Sequence, residues 1–250
     1  MEIKLKENER IDDLEFKNLK IIQNKDGFCF GIDSILLTDF AKNIKQNSKV
    51  IDLGTGTGII PILLYGKTKN TKFVGVEIQP EVAEMADRSV KLNLLEDNIE
   101  ILNTNILELS KKYNRGSFDV VITNPPYKKI NTGVINENNK NLISRHEITA
   151  SLDDFIKTAS FLLKDLGEFY MVHRPDRLVD IFYSMRKNKI EPKKIKFVYP
   201  NKNKKTNLVL IKGIKNGKQF LEFENNLYVY NEDGNYTNEI LKIYNKIQIN

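Results

Sequence analysis

At 250 residues, 40% of them hydrophobic, the chain is long enough to bury one substantial core and too apolar for a disordered tail. Its net charge of +6 leans toward a polyanionic partner, but the bias is mild and says little alone. One cysteine, Cys29, excludes an internal disulfide and a Cys-cluster zinc site, and two separated histidines, His146 and His173, make a poor metal set, so no metal is expected. Apolar runs such as GIIPILLYG (58–66) are too short to span a bilayer, and the N-terminal MEIKLKENERIDD has no signal-peptide core, so a cytoplasmic protein with no membrane partner is expected, a monomer favoured.

In chain order, LEFKNLKII and FCF suggest an N-terminal hairpin turning around Lys25-Asp26-Gly27. Asp33 then reads as the N-cap of a helix SILLTDFAK, whose apolar residues recur at helical spacing. VIDL (50–53) is a short buried strand, followed by a helix from about 58 and a strand KFVGVE (72–77). Pro80 opens the next helix, because its missing N–H costs nothing in a first turn. NIEIL and FDVVIT add two strands, and Ser151 with Asp154 forms a capping-box start to LDDFIKTASFLLK. GEFYMV, a helix near Pro175, the strands IKFVY and NLVLIKGI, a hairpin FLEFENNLYVY and a closing helix TNEILKIYNKI complete the walk. Strands alternating with helices predict an α/β, Rossmann-like fold: a mostly parallel sheet covered on both faces, with ligands at the carboxyl ends of its strands. Residues 1–47 read as a hairpin-and-helix extension packed on a catalytic core of 48–250, one structural unit.

Two segments carry chemistry on this map. IDLGTGTGII places Gly54, Gly56 and Gly58 between a strand and a helix, where missing side chains let the backbone pass close under a ligand. Glu77 ends the following strand, where a carboxylate takes hydrogen bonds from ribose hydroxyls, so a ribose-bearing cofactor is implied. The dinucleotide fingerprint needs a glycine where Ile59 stands, which argues against a pyrophosphate cradle. The second segment is FDVVITNPPYKK, in which Pro125 and Pro126 end a strand and stiffen the loop behind it.

DLGTGTG, VGVE and NPPY together resemble the class I S-adenosylmethionine-dependent methyltransferases that act on amino groups. The flanking GFCFGIDSILLTDF, RHEITASLDDFIKTASFLLKDLGEFYMVHRPDRL and DGNYTNEI are similar to the bacterial tRNA1(Val) adenine-37 N6-methyltransferase family. That resemblance implies a seven-stranded sheet and S-adenosylmethionine as cofactor, with Gly54, Gly56 and Gly58 under its methionine part and Asp52 steadying their loop. It implies ribose contacts from Glu77 and an adenine contact from Ile78. Asn105 stands where the family often has an Asp for the cofactor adenine, and it accepts through an amide oxygen without the charge.

For the reaction, the resemblance puts the side-chain oxygen of Asn124 and the carbonyl of Pro125 on the two hydrogens of a target amine, with Pro126 holding the loop rigid and Tyr127 stacking on the base. RNA, a tRNA anticodon region first, is the expected partner. Lys128, Lys129 and Arg145 in the Asn-rich stretch 128–148, and Lys193, Lys194 and Lys204 in the lysine-rich stretch 187–205, are candidate phosphate contacts. Those lysines read equally as a solvated edge, and His146 has no catalytic task. Phe28, Phe30 and Asp33 are expected to pack or cap near the cofactor pocket. Guanine N2 methylation, a ribosomal RNA target and protein glutamine methylation remain alternatives. The last usually needs a helical substrate domain, for which little chain precedes Gly54. A nucleotide- or RNA-binding module without catalysis would need neither NPPY nor Glu77.

Overall fold

The Ile- and Val-rich runs become the central strands of one sheet in the computed structural model, which describes residues 4–25, 31–68, 71–127, 150–244 and 246. Its parallel half is built from β3 (Lys49–Leu53), β4 (Lys72–Glu77), β5 (Ile99–Asn103), β6 (Phe118–Thr123) and β7 (Leu163–His173). β8 (Ile190–Tyr199) and β9 (Leu208–Lys215) continue it, giving the order β5-β4-β3-β6-β7-β9-β8, with β9 antiparallel to both neighbours.

Among the described residues the sheet has nine strands, not the expected seven. The FLEFENNLYVY segment does not close on itself as a hairpin. Instead β10 (Glu222–Phe223) and β11 (Leu227–Tyr228) each add to β8 in parallel, because that outer edge offers unpaired backbone groups. β8 also begins at Ile190, earlier than IKFVY suggested. Pro192 is tolerated there because the pairing shifts register between Pro192 and Lys194.

Helices cover both faces. α1 (Ile32–Phe40), α2 (Ile59–Lys67) and α3 (Pro80–Leu92) lie on one side, where Leu36, Leu37, Ile60 and Leu64 pack with Val50, Val120 and Ile122. On the other, α4 (Leu109–Lys112), α5 (Leu152–Leu162) and α6 (Leu178–Lys187) cover Ile51, Leu53 and Val121. Successive residues of β3 thus enter opposite layers, as a strand of period two buried on both faces requires. The capping box on α5 is present, with Asp154 N–H donating to Ser151 Oγ at 3.2 Å and the Asp154 carboxylate accepting Ser151 N–H at 2.9 Å. α7 (Asn238–Ile243), capped by Thr237, packs on α1.

Two N-terminal expectations shift. The hairpin is β1 (Glu9–Asp13) paired with β2 (Lys20–Asn24), earlier than LEFKNLKII and FCF would place it; Ile21 and Ile22 are fully buried, and Ile22 N–H donates to Ser89 Oγ of α3 at 3.0 Å. Asp33 is not the N-cap of α1. Gly31 holds that position, and Asp33 lies within the first turn with its carboxylate turned toward another segment.

Candidate active site

β3 and β6 are neighbours, and Leu53 pairs with Thr123 in register, the Thr123 hydroxyl donating to Leu53 C=O at 2.8 Å. The next residues, Gly54 and Asn124, therefore leave the sheet side by side at its carboxyl edge. That register joins the glycine loop and the Asn-Pro-Pro-Tyr loop into one site.

Gly54, Gly56 and Gly58 have φ of +76°, +57° and +86°, a backbone that side chains rarely adopt. A Cβ on Gly56 would meet nothing within 4 Å among the described residues, so the loop is open there. Glu77, 6% exposed at the end of β4, ties it down: one carboxylate oxygen accepts Gly56 N–H at 3.0 Å and the other accepts Gln79 N–H at 2.9 Å. Each oxygen keeps a further lone pair for a ligand hydroxyl.

Asp52 does not steady the loop in the expected way. It is 1% exposed, and both carboxylate oxygens, like the Thr55 hydroxyl, lack a hydrogen-bond partner among the described residues. Burial pushes its carboxyl up to about 7; the nearby Thr55 hydroxyl opposes that shift without forming a bond of normal geometry, and the Glu77 charge adds to it. Unpaired buried acceptors are costly, and beside an open glycine backbone they fit a ligand that brings donors. An amino acid amine and ribose hydroxyls, as in S-adenosylmethionine, are such donors. Ile78 is half-buried beside this site, and Asn103 Nδ2 donates to the carbonyls of Glu77 and Ile78 at 2.9 and 3.1 Å. Asn105 caps a short 3-10 turn, its amide oxygen accepting Leu107 N–H at 3.0 Å, so only a second lone pair remains for a ligand.

The other loop is held by side chains. The Tyr127 hydroxyl oxygen lies 2.6 Å from Asp33 Oδ2 and 2.9 Å from Asn124 Oδ1, while Asn124 Nδ2 donates to Ser34 Oγ at 3.3 Å. Burial, then the Asp33 charge, pushes the Tyr127 phenol above its ordinary range, so it keeps its proton. Its ring leans on His173, centroids 5.1 Å apart. His173 is 1% exposed, and burial lowers its pKa, so a neutral imidazole stands there, its Nδ1 accepting Arg174 N–H at 2.8 Å. Sequence reasoning missed Ser34, Thr55 and His173 as site residues. Ser34 and Thr55 stood beside residues already singled out, whereas a lone histidine closing a strand carries no such signal.

The structure divides the lysine-rich stretch. Lys193 donates to the carbonyls of Lys218 and Gln219 at 3.1 and 3.0 Å, and Lys194 pairs with Glu222 at 3.1 Å and Glu224 at 3.6 Å. Lys196 pairs with Glu224 and Glu239. The strand lysines expected to meet phosphate are thus largely engaged. Lys202, Lys204 and Lys205 are exposed on the β8–β9 turn, which leaves the sheet at the carboxyl edge, since Val209 pairs with His173. Phe28, Phe30, Lys128, Lys129, Arg145 and His146 lie outside the described residues.

Residues 14–181 match the family model of the methyltransferase small domain. A tRNA1(Val) (adenine(37)-N6)-methyltransferase of Porphyromonas gingivalis is 32% identical over 177 residues, 68% of this chain and 68% of that protein. One of the same name from Cytophaga hutchinsonii is 21% identical over 239 residues, 94% of this chain and 97% of that protein. Among solved structures, a protein of Agrobacterium tumefaciens described as a predicted O-methyltransferase has a TM-score of 0.68 at 20% identity, covering 85% of this chain and 95% of that one. A geranyl diphosphate methyltransferase solved in complex with SAM has a TM-score of 0.53 at 14% identity, covering 73% of this chain and 84% of that one. At such identities the likeness is one of fold.

Proposed function

This chain belongs to the methyltransferase small domain family, and from that premise we propose that it methylates the N6 amine of an adenine in RNA, with S-adenosylmethionine as donor. The relatives' name points to adenine 37 of tRNA1(Val) as the target. The carrying observation is the register of Leu53 with Thr123, which sets the glycine loop beside Asn124. When bound, S-adenosylmethionine supplies a sulfonium methyl that is already a good electrophile. Glu77, Asp52, Thr55 and the open backbone at Gly56 would hold it.

The chain's own task is to prepare the amine. An exocyclic amine of adenine is a weak nucleophile because its lone pair is delocalised into the ring. Asn124 Oδ1 and the Pro125 carbonyl would each accept one amine hydrogen, drawing the nitrogen toward tetrahedral geometry and favouring the positive charge that grows on it. Pro125 and Pro126 keep these acceptors from moving as the charge develops. The bound donor would supply the methyl without its bonding electron pair, and the amine nitrogen, held between Asn124 Oδ1 and the Pro125 carbonyl, would then release one proton to water, so no general base of shifted pKa is needed. The base must leave its stack to enter, and the Tyr127 ring would take it. Lys202, Lys204 and Lys205, with Lys128, Lys129 and Arg145, would meet phosphates. The same reading has a cytoplasmic monomer; among the described residues no helix is long and apolar enough to cross a membrane.

The test is transfer of labelled methyl groups into total tRNA from cells lacking this gene, followed by nucleoside digestion and mass spectrometry. Label in N6-methyladenosine is expected. Label in N2-methylguanosine, or only in ribosomal RNA or protein, would overturn the substrate assignment.

A further inference from the structure

The Tyr127 hydroxyl has one proton and two acceptors in reach. Asp33 Oδ2, at 2.6 Å, is closer than Asn124 Oδ1, at 2.9 Å, and it belongs to a carboxylate, the stronger acceptor of the two. A proton given to Asp33 is a proton not given to Asn124. That choice matters because Asn124 Oδ1 is the atom that must accept from the target amine. A phenol O–H aimed at it would occupy a lone pair and make it a poorer acceptor for a nitrogen turning cationic.

We propose that Asp33 is a positioning residue that acts through Tyr127, holding the phenol proton away from Asn124 so that the amide oxygen stays available to the target amine. The inference rests on the acceptor reading of Asn124 given above. Ser34, the next residue of α1, completes the arrangement. Its hydroxyl takes Asn124 Nδ2 at 3.3 Å, which fixes the amide with its oxygen on the Tyr127 side. One helical turn therefore sets both the orientation of the amide and the direction of the phenol proton. This also gives the first turn of α1 a task that an N-cap reading does not supply. The Tyr127 ring against His173 keeps the hydroxyl from swinging clear of both acceptors.

The test is a double-mutant cycle of Asp33→Ala and Tyr127→Phe, read by kcat for methyl transfer, by the Kd for S-adenosylmethionine and by thermal melting. In the wild-type background Asp33→Ala should lower kcat at least about tenfold and leave the cofactor Kd within about twofold. With Phe at 127 there is no phenol proton to divert, so adding Asp33→Ala should change kcat by less than about twofold. Equal losses in both backgrounds would mean that Asp33 acts independently of the phenol, and an unchanged kcat in the wild-type background would mean that it does nothing for turnover; either overturns the proposal. If Asp33→Ala melts out, Asp33→Leu, of similar shape but without an acceptor, takes its place in the cycle with the same expected background dependence. Asn124→Ala run alongside separates the two levels: retained turnover there sinks the acceptor reading itself, whereas lost turnover with an indifferent Asp33 sinks only this inference.

Discussion

The loops at the ends of β3 and β6 leave neighbouring strands at the same edge, yet they are held in opposite ways. The glycine loop is fixed through its backbone, by Gly56 N–H on the Glu77 carboxylate and by Gly54 and Thr55 N–H on the Val76 carbonyl, and the buried oxygens of Asp52 and Thr55 beside it have no hydrogen-bond partner among the described residues. The Asn-Pro-Pro-Tyr loop is fixed by side chains, with the Tyr127 hydroxyl on Asp33 and the Asn124 amide nitrogen on Ser34, so that the Asn124 amide is held by one end and its oxygen is left for a ligand. The first loop is therefore a set of acceptors awaiting a ligand. The second presents one oriented acceptor, the Asn124 amide oxygen, whose position its neighbours have already set. A buried carboxylate left unpaired costs stability, so the cofactor side carries that cost in the free protein, whereas the substrate side spends its side-chain hydrogen bonds on orienting one acceptor before the ligand arrives.

The largest effect that would break this contrast is at Asn124. Asn124→Ala should lose about 3 kcal/mol of transition-state stabilisation, on the order of a hundredfold in kcat, with cofactor Kd nearly unchanged. Single-turnover rates and calorimetry read the two quantities separately, and parallel loss of both would make Asn124 a structural residue of the whole edge.

The Asp52 side is sharpened by pH. Its carboxyl is raised from an ordinary 3.8 to about 7, so the folded protein binds a proton that the unfolded chain has released over that interval. Its contribution to stability is complete below the lower value and is lost as pH rises through the upper one, by up to about 4 kcal/mol. Asp52→Asn should flatten that dependence, and the difference between wild-type and variant melting curves from pH 4 to pH 8 isolates it. Matching curves would mean that Asp52 finds a donor in the free protein.

A smaller effect separates the loops by ligand. Reversing Lys202, Lys204 and Lys205 to Glu should weaken tRNA binding and reduce the magnitude of its salt slope by roughly 2 to 3, leaving cofactor affinity alone. Lys194→Glu, at a lysine already paired with Glu222 and Glu224, should change that slope by less than about 1. Equal slopes for both would return the turn lysines to a solvated edge.

Much of this was legible in the chain. VIDL, KFVGVE, FDVVIT and GEFYMV announced strands because a sheet buried on both faces leaves unbroken apolar runs, and Ser151 with Asp154 announced a helix start because their cap is closed within four residues. The two loops were visible as glycines and prolines, which constrain the backbone locally. The segments that shifted depend on distant partners. Pro192 lies inside a strand because β8 can bulge there, and FLEFENNLYVY pairs with β8 because that edge was unfilled. Lys193, Lys194 and Lys204 looked alike as a run of charge, and only their neighbours distinguish the engaged strand from the exposed turn.

The sequence alone therefore determined the alternation of strands and helices, the two loops and the residue types that the chemistry needs, since propensity, turn residues and short motifs act over a few positions. The tertiary structure decided which of those residues meet. Asp33 reads as a cap until α1 brings it to Tyr127, His173 reads as a stray histidine until β7 places it under the same ring, and Asp52 reads as a steadying acid until the sheet buries it with no hydrogen-bond partner among the described residues. Contacts of that kind are made between elements far apart in the chain, where no local rule reaches.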